Sequence, residues 1–384
     1  MNFVRAGFIV GVAAVLEASG ADWGVARVPA DGTGTTVLEV GKWPTGGRFV
    51  LPDVPAHVIH AHGLRNGQSV ALDWTPLTNG YRFEPRDRRT KLKLETVVLE
   101  QAEASGQFAG GRISFVPKEA KLSGTAMRTE FDSYGTTITG WTVKGDAATW
   151  DFKPTRWGMY ELEVCYTAEG KEPVELDVTL AGHVLPVTLR AAPKADLVKT
   201  ALIGQVYLAK SDPFSVRLAL DRGIEKSVLR VKGITLHPAP EGEVPKPAPN
   251  GEIVLLSHAA TTHSVMMRYE PATNKNCMGY WVNPADWAEW NFPVAKTGDY
   301  DVELWQGCGK GSGGSEVQVE VAGQKFSFVV QDTGHFQAFV PRQLGRIHLT
   351  EGLPYSLTIR PQRKQGAAVM DVRQVKLLPV AASK

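Results

Sequence analysis

The sequence has no excess of charge of one sign, and this excludes one class of partner. Its 384 residues carry 42 basic and 40 acidic side chains, for a formal net charge of +2. Proteins that attract DNA, RNA or anionic membranes usually present a strong basic field. Nucleic acid is therefore not an expected partner. A membrane-spanning helix needs about 20 consecutive apolar residues, and no membrane span is predicted.

Cysteine is also scarce, so no disulfide framework is expected. The three cysteines are Cys165, Cys277 and Cys308. An odd number cannot all pair within one molecule. Cys277 and Cys308 lie close enough in the sequence to share a domain, and both a disulfide between them and free thiols remain open. The cysteines therefore do not decide the redox compartment.

Long apolar segments with helical period are few, whereas turn-forming residues are common. The chain contains 39 glycines and 24 prolines, and 43% of its residues are hydrophobic. Such a composition favours many short strands joined by turns. The length predicts two or three domains, each with its own core. The expected fold class is all-β with antiparallel β-sandwiches.

No complete active-site motif is present. The sequence has no Gly-x-Ser-x-Gly, His-Glu-x-x-His or paired Cys-x-x-Cys motif. The run GCGKGSGG differs from a phosphate-binding loop because Lys310 is followed by Gly311. Asp301 and Glu303 share one strand face, as a glycosidase pair could, but such alternation is also typical of a solvent-exposed face. We therefore predict that the protein is not an enzyme.

One pair of histidines has the minimal geometry of a metal site. His60 and His62 are two residues apart on a predicted strand, so they share a face. No third ligand stands near them in the sequence. The simpler interpretation is two half-exposed strand histidines, and no metal and no other cofactor are predicted.

Residues 1–21 have the layout of a secretory signal peptide. Arg5 is followed by an apolar run that ends near Leu16, and small residues close the segment at Ser19-Gly20-Ala21. The alternative is an ordinary N-terminal tail. The pattern predicts a secreted or periplasmic protein.

The strongest signal in the sequence is an internal repeat of about 140 residues. A period this long indicates duplicated domains, because each copy can bury its own core. We name the copies repeat one (113–238) and repeat two (253–380); residues 101–112 and the Pro-rich 239–252 are linkers, and 22–100 form an N-terminal domain. The recurring residues include Trp141, Trp150, Tyr160 and Gly182, which correspond to Trp281, Trp290, Tyr300 and Gly323.

The N-terminal domain carries a first resemblance. The run DGTGTTVLEVGKWPTGGRFVLPDVP, followed by NGQSVALDW, NGYRFEP and ETVVLE, resembles the C-terminal β-sandwich of family 29 α-L-fucosidases. That resemblance implies a β-sandwich over residues 22–100. The fucosidase barrel that carries catalysis would precede such a domain, and only the signal-like segment stands there.

Repeat two carries a second resemblance. The series MMRYEP, MGYWVNPADWAEWNF, TGDYDVELWQGCGKGSGGSEVQV, DTGHFQAFVPRQLG and GAAVMDVRQVKL resembles jelly-roll domains of unknown function that are appended to secreted sulfatases and α-L-fucosidases. It is more distantly similar to family 35 carbohydrate-binding modules. The resemblance implies two tandem jelly-roll sandwiches of the galactose-binding-like type.

Comparing the two copies separates framework from candidate site. Aromatic residues present in both copies are expected in the cores. Repeat two alone has Trp287 and Trp305, and a tryptophan face can stack on a sugar ring. Polar side chains that could orient a glycan follow in QDTGHF and VMDVRQ. The predicted ligand-binding residues are Trp287, Trp305, Asp332, His335 and Asp371.

Modules of this kind often hold calcium between an early and a late acidic residue. Repeat one has Glu119 at the early position but Arg230 at the late one, whereas repeat two has Ala259 and Asp371. Neither copy carries both halves. No structural calcium of that type is predicted.

Two hypotheses of function follow. The first is a secreted, non-catalytic protein whose repeat two binds a glycan, with fucosylated and sulfated oligosaccharides as first candidates. The second is a structural or interaction module that packs against a glycoside hydrolase or sulfatase. A variant of the second is a detached C-terminal fragment of an α-L-fucosidase or sulfatase.

Overall fold

The structure is a computed structural model. It describes residues 16–28, 34–51, 58–65, 67–77, 80–87, 93–132, 135–194 and 197–380. Within these ranges the regular structure consists of β-strands and three short 3-10 turns. The strands of each named sheet pair in antiparallel fashion. The prediction of an all-β, antiparallel fold is confirmed.

The N-terminal domain is built around one eight-stranded sheet. Its strands are β1 (Leu16–Ala21), β2 (Gly24–Val28), β3 (Thr35–Val40), β4 (Arg48–Val50), β5 (Val58–Arg65), β6 (Gln68–Leu77), β7 (Gly80–Pro85) and β8 (Thr96–Gln101). Their order across the sheet is β1-β2-β3-β8-β5-β6-β7-β4. Large apolar side chains such as Phe49, Leu72 and Trp74 are fully buried in its core. β1 covers the end of the predicted signal peptide, and residues 1–15 of that segment lie outside the described residues.

Repeat one consists of two facing sheets. Its strands are β9 (Gly106–Gln107), β10 (Ile113–Phe115), β11 (Lys121–Ser123), β12 (Arg128–Asp132), β13 (Gly135–Thr139), β14 (Ala147–Phe152), β15 (Gly158–Gly170), β16 (Val174–Leu180), β17 (His183–Leu189), β18 (Lys199–Leu208), β19 (Phe214–Leu220) and β20 (Ser227–Pro238). The smaller sheet has the order β11-β14-β19-β16-β17. The larger, seven-stranded sheet contains β12-β13-β20-β10-β9, with β15 between β20 and β18.

Repeat two has the same two-layer architecture. Its strands are β21 (Ile253–Leu256), β22 (Thr261–His263), β23 (Arg268–Glu270), β24 (Cys277–Gly279), β25 (Trp287–Pro293), β26 (Gly298–Cys308), β27 (Glu316–Val321), β28 (Gln324–Val329), β29 (His335–Leu349), β30 (Pro354–Arg363) and β31 (Asp371–Pro379). The smaller sheet has the order β22-β25-β30-β27-β28, and the larger one contains β23-β24-β31-β26-β29 with β21 on β31. The five strands of the smaller sheet thus follow the same order in both copies.

Individual contacts repeat as well. The indole N–H of Trp150 donates to the carbonyl of Val116 at 2.8 Å, and the indole N–H of Trp290 donates to the carbonyl of Leu256 at 2.8 Å. Ala322, next to Gly323, has a φ of 51°, in the left-handed region that a two-residue hairpin turn of this kind requires. The prediction of a hairpin that turns at Ala322-Gly323 is therefore confirmed. The domain limits themselves stay predictions.

The N-terminal domain packs onto the outer face of the larger sheet of repeat one. Cys165 and Val198 of repeat one belong to the same buried cluster as Trp74. Trp74 and Val198 also exchange two backbone hydrogen bonds, of 3.0 and 2.8 Å. The first two domains consequently share apolar core across their junction.

Repeat two contacts repeat one through a stack of planar groups. The guanidinium of Arg268 lies 3.6 Å from the ring centre of Trp157 and 3.7 Å from that of Tyr280. Such cation–π contacts orient side chains across an interface. None of the described helical segments is long and apolar enough to cross a membrane.

Candidate functional site

Three of the five predicted ligand-binding residues meet at one end of repeat two. Asp371 begins β31 and pairs with Gly307 on β26, and His335 begins β29 and pairs with Cys308 on β26. Asp332 lies three residues before His335 in the preceding loop. We call Asp332, His335, Gln337 and Asp371 the end cluster.

Asp371 is the buried member of the end cluster, with 5% of its surface exposed. The amide of Gln337 donates to its carboxyl at 3.1 Å, and the thiol of Cys277 lies 3.5 Å from the same oxygen. Burial, together with the nearby carboxylate of Glu270, raises the pKa of Asp371 to about 7. At neutral pH this carboxyl can therefore both donate and accept a hydrogen bond.

Asp332 is exposed and organises the glycine-rich loop. Its carboxylate accepts the backbone N–H of Gly311 at 2.6 Å and that of Gly334 at 2.8 Å. These two bonds lower the pKa of Asp332, because both stabilise the ionised form. The run GCGKGSGG is therefore a loop tied to this end of the domain, which agrees with its interpretation as a loop without phosphate-binding geometry.

His335 is exposed beside this loop, and its tautomer is set by a backbone contact. Its Nδ1 accepts the N–H of Gln337 at 3.1 Å, so a neutral ring carries its proton on Nε2. The next residue, Phe336, packs against Gly307 and Gly309, where an added Cβ would lie 1.9 and 2.4 Å from its atoms. Only glycine fits at position 307, where the clash is with backbone, whereas a side chain at position 309 would force the Phe336 ring to shift. The surface of the end cluster therefore combines a hydrogen-bond donor with an aromatic ring.

Trp305 lies on the same strand as Gly307 but on the outer face of the sheet. Its indole N–H donates to Glu303 at 2.7 Å, and the ammonium of Lys376 is 5.7 Å from its ring centre. The side chain is half-buried. Its counterpart Cys165 is covered by the N-terminal domain, whereas this face of repeat two carries exposed polar residues.

Trp287 lies apart from the end cluster, on the smaller sheet. The ring of His263 stacks on it at 3.6 Å with an interplanar angle of 8°, and the guanidinium of Arg360 lies 3.5 Å from its ring centre. These three side chains form a row across β22, β25 and β30. A sugar could stack on Trp287 only if His263 or Arg360 moved away from its ring. Because Trp287 lies on the smaller sheet, the structure does not bring it together with the other four predicted residues.

The sequence reasoning missed several residues of this end. Gln337 donates a hydrogen bond to Asp371, and the charge of Glu270 acts on the same carboxyl. Lys275 donates to Glu270 at 2.7 Å. Tyr280 is 44% exposed and has a φ of 59°, which is unusual for a residue with a side chain. The only signal for Tyr280 in the sequence is its place in the aromatic run MGYWV. Gln337, Glu270 and Lys275 have no local sequence signal, because they reach Asp371 from other strands and loops.

In the described part of the chain, two places bring metal-binding side chains together. Glu270, Cys277 and Asp371 are close enough to share an ion, but Lys275 already neutralises Glu270 and burial raises the pKa of the Cys277 thiol. Among the described residues, all three cysteines are free and buried. At the second place, His60 and His62 meet Glu100, Glu163 and His237. Both histidines are partly buried on their strand, as predicted, and their further potential ligands come from other strands.

Comparison with known proteins gave partial likenesses. No protein-family model and no curated protein matches the chain. Among solved structures, the GH26-CBM35 β-(1,4)-mannanase of Podospora anserina is 21% identical, with a TM-score of 0.29, over 37% of this chain and 31% of the mannanase. A family 35 carbohydrate-binding module from Cellvibrio japonicus is 16% identical, with a TM-score of 0.28, over 33% of this chain and 92% of the module.

A xanthan lyase from Paenibacillus is 12% identical, with a TM-score of 0.32, over 93% of this chain and 35% of the lyase. This chain therefore spans about a third of the length of the mannanase and of the lyase. With TM-scores near 0.3, these likenesses do not assign a function to this chain.

Proposed function

We propose that the protein is a secreted, non-catalytic carbohydrate-binding protein with its glycan site at the end cluster of repeat two. The observation that carries this proposal is the convergence of Asp332, His335 and Asp371 from one loop and the first residues of two strands. Carbohydrate sites combine an aromatic surface with a few oriented polar groups. The sequence resemblance of repeat two to jelly-roll domains of secreted sulfatases and fucosidases supports the same assignment.

Each polar group of the end cluster has a defined role in the proposed site. The Nε2–H of His335 would donate to a hydroxyl oxygen, and the Asp332 carboxylate would accept from a hydroxyl. Asp371 would hold the amide of Gln337 in place. Phe336, half-buried beside Gly309, would supply the apolar surface.

The test is calorimetric titration of the full chain with fucosylated and sulfated oligosaccharides, followed by tryptophan fluorescence. His335→Ala should weaken binding at least about tenfold, because one good hydrogen bond corresponds to about 1.4 kcal/mol. Trp305→Ala should weaken it if the ligand extends onto the outer face of the sheet. Trp287→Ala tests the predicted platform on the other sheet.

The matched control is His348→Ala. His348 is exposed near the other end of β29 and pairs with Asp299 at 2.7 Å, so its loss should leave glycan affinity unchanged. Equal affinity of the parent, His335→Ala and Trp305→Ala proteins for a bound oligosaccharide would contradict this location of the site.

A second candidate function is an interaction module for a glycoside hydrolase or sulfatase. It is favoured by the outer face around Trp305, because the equivalent face in repeat one holds the N-terminal domain. Sedimentation of the protein with a candidate enzyme encoded beside it would test this function. A catalytic barrel read in frame with residue 1 would instead support the fragment hypothesis, including the fucosidase-like assignment of residues 22–100.

A further inference from the structure

The junction between the N-terminal domain and repeat one contains a concentration of histidine and glutamate. We call His60, His62, Glu100, Glu163 and His237 the junction cluster. The first three lie on β5 and β8 of the N-terminal domain, and the last two lie on β15 and β20 of repeat one. His60 and Glu100 are direct cross-strand partners. The two sheet faces that carry these residues meet at the junction.

The distances in the junction cluster match those between ligands of one metal ion. The Nε2 of His60 is 3.0 Å from Glu163, and the Nε2 of His237 is 3.5 Å from the same carboxylate oxygen. Zinc–nitrogen and zinc–oxygen bonds are about 2.1 Å, so neighbouring ligands in a tetrahedron stand about 3.4 Å apart. The ligand atoms of His60, Glu163 and His237 lie within 4.8 Å of one another.

These side chains are satisfied mainly by one another. Within the described part of the chain, buried His62 Nδ1 has no hydrogen bond, and the contacts of four further buried atoms are ion pairs that lack normal hydrogen-bond geometry: His60 Nδ1, Glu100 Oε2, Glu163 Oε2 and His237 Nε2. Buried polar groups without partners are costly and rare in native proteins. A cation placed among them would satisfy several at once.

The composition of the junction cluster also suits a cation. It places two carboxylates, Glu100 and Glu163, among three imidazoles. Arg112 lies 3.5 Å from Glu100 and offsets one of the two carboxylates.

We propose that the junction cluster is a binding site for a divalent transition metal ion, with zinc as the ion of choice. His60 and His237 bind through Nε2 and Glu163 through one carboxylate oxygen, a donor set of imidazole and carboxylate that suits zinc. Glu100 lies 3.6 Å from His60 Nδ1, where its carboxylate would orient that ring when the ion is bound. The ion would join two domains that, among the described residues, otherwise meet through packing, hydrogen bonds and the ion pairs of this cluster.

The experiment uses the full chain, stripped with a chelator and dialysed against zinc chloride, with metal content measured by mass spectrometry. One zinc per chain is expected. Glu163→Gln and His237→Gln should each lower the zinc affinity at least 100-fold, and Glu100→Gln should lower it by about tenfold or more, as is typical of residues that orient a metal ligand. His183→Gln, which changes an exposed histidine of repeat one, is the matched control and should bind zinc as the parent does.

Cobalt provides a readout that needs no variant. A cobalt ion bound by two imidazoles and a carboxylate gives visible absorption of the four-coordinate type, and added zinc should abolish it at a ratio of one per chain. Absence of both zinc uptake and cobalt absorption in the parent protein would overturn the proposal. Zinc uptake that persists unchanged in folded Glu163→Gln and His237→Gln proteins would overturn it as well. Neither result bears on glycan binding, which concerns repeat two.

Discussion

Asp371→Asn should make repeat two less sensitive to pH, and the effect can be worked out from the structure. Asp371 is 5% exposed, and its pKa is raised to about 7 by burial and by Glu270. In the unfolded chain the same carboxyl titrates near the ordinary aspartate pKa of 3.8. Between these values the folded state holds a proton that the unfolded state has lost, so stability falls as pH rises.

The size of this effect follows from the gap between the two pKa values. One pKa unit corresponds to 1.36 kcal/mol, so a gap of about 3 units gives about 4 kcal/mol lost between pH 4 and pH 7. Asparagine keeps an acceptor for Gln337 and carries no charge. The free energy of unfolding of the variant, minus that of the parent, should therefore rise by about 4 kcal/mol over this window.

The assay is urea unfolding of both proteins at pH 4, 5.5 and 8, followed by tryptophan fluorescence. Other groups titrate in both proteins and cancel in the difference. Asp332→Asn is the control of opposite sign, because the pKa of Asp332 is lowered and its stabilising effect is lost only as pH falls toward 4 and below. A difference between parent and Asp371→Asn that stays constant from pH 4 to pH 8 would refute the reasoning.

Two further substitutions test the packing of repeat two. Gly307→Ala should lower the melting temperature of repeat two and abolish glycan binding, because the new Cβ would lie 1.9 Å from a backbone oxygen of Phe336. The control is Gly298→Ala, whose Cβ would have no atom within 4 Å. Both variants are measured by calorimetry. Trp290→Phe should cost about 2 kcal/mol in chemical denaturation, because the carbonyl of Leu256 loses its 2.8 Å hydrogen bond. Trp150→Phe should cost a similar amount, and a negligible cost for both would contradict this account.

The fold could be predicted from the sequence because its signals are local. Alternation of apolar residues predicts strands whatever their partners are, and the Ala322-Gly323 pair predicts a two-residue turn from backbone preference alone. The recurrence of Trp150 as Trp290 predicts that one architecture occurs twice. Each of these inferences uses residues that lie near one another in the chain or at a fixed offset.

The sites were less predictable because they depend on which strands become neighbours. Trp287 is recognisable in the sequence as a tryptophan of repeat two alone, but its stacking between His263 and Arg360 depends on the lateral order of three strands. His60 and His237 lie in different domains, and their ring centres are 4.9 Å apart only because two sheet faces meet. No periodicity in the sequence reports such contacts.

Because the first two domains share a core, the reactivity of one cysteine reports on the contact between them. Cys165 belongs to repeat one, yet its thiol packs in the cluster that contains Trp74. Burial raises the pKa of this thiol to about 12, so the reactive thiolate is almost absent while the junction is closed. Separation of the two domains would return the thiol to its ordinary reactivity. The rate at which Cys165 is alkylated therefore measures how often the N-terminal domain lifts from repeat one.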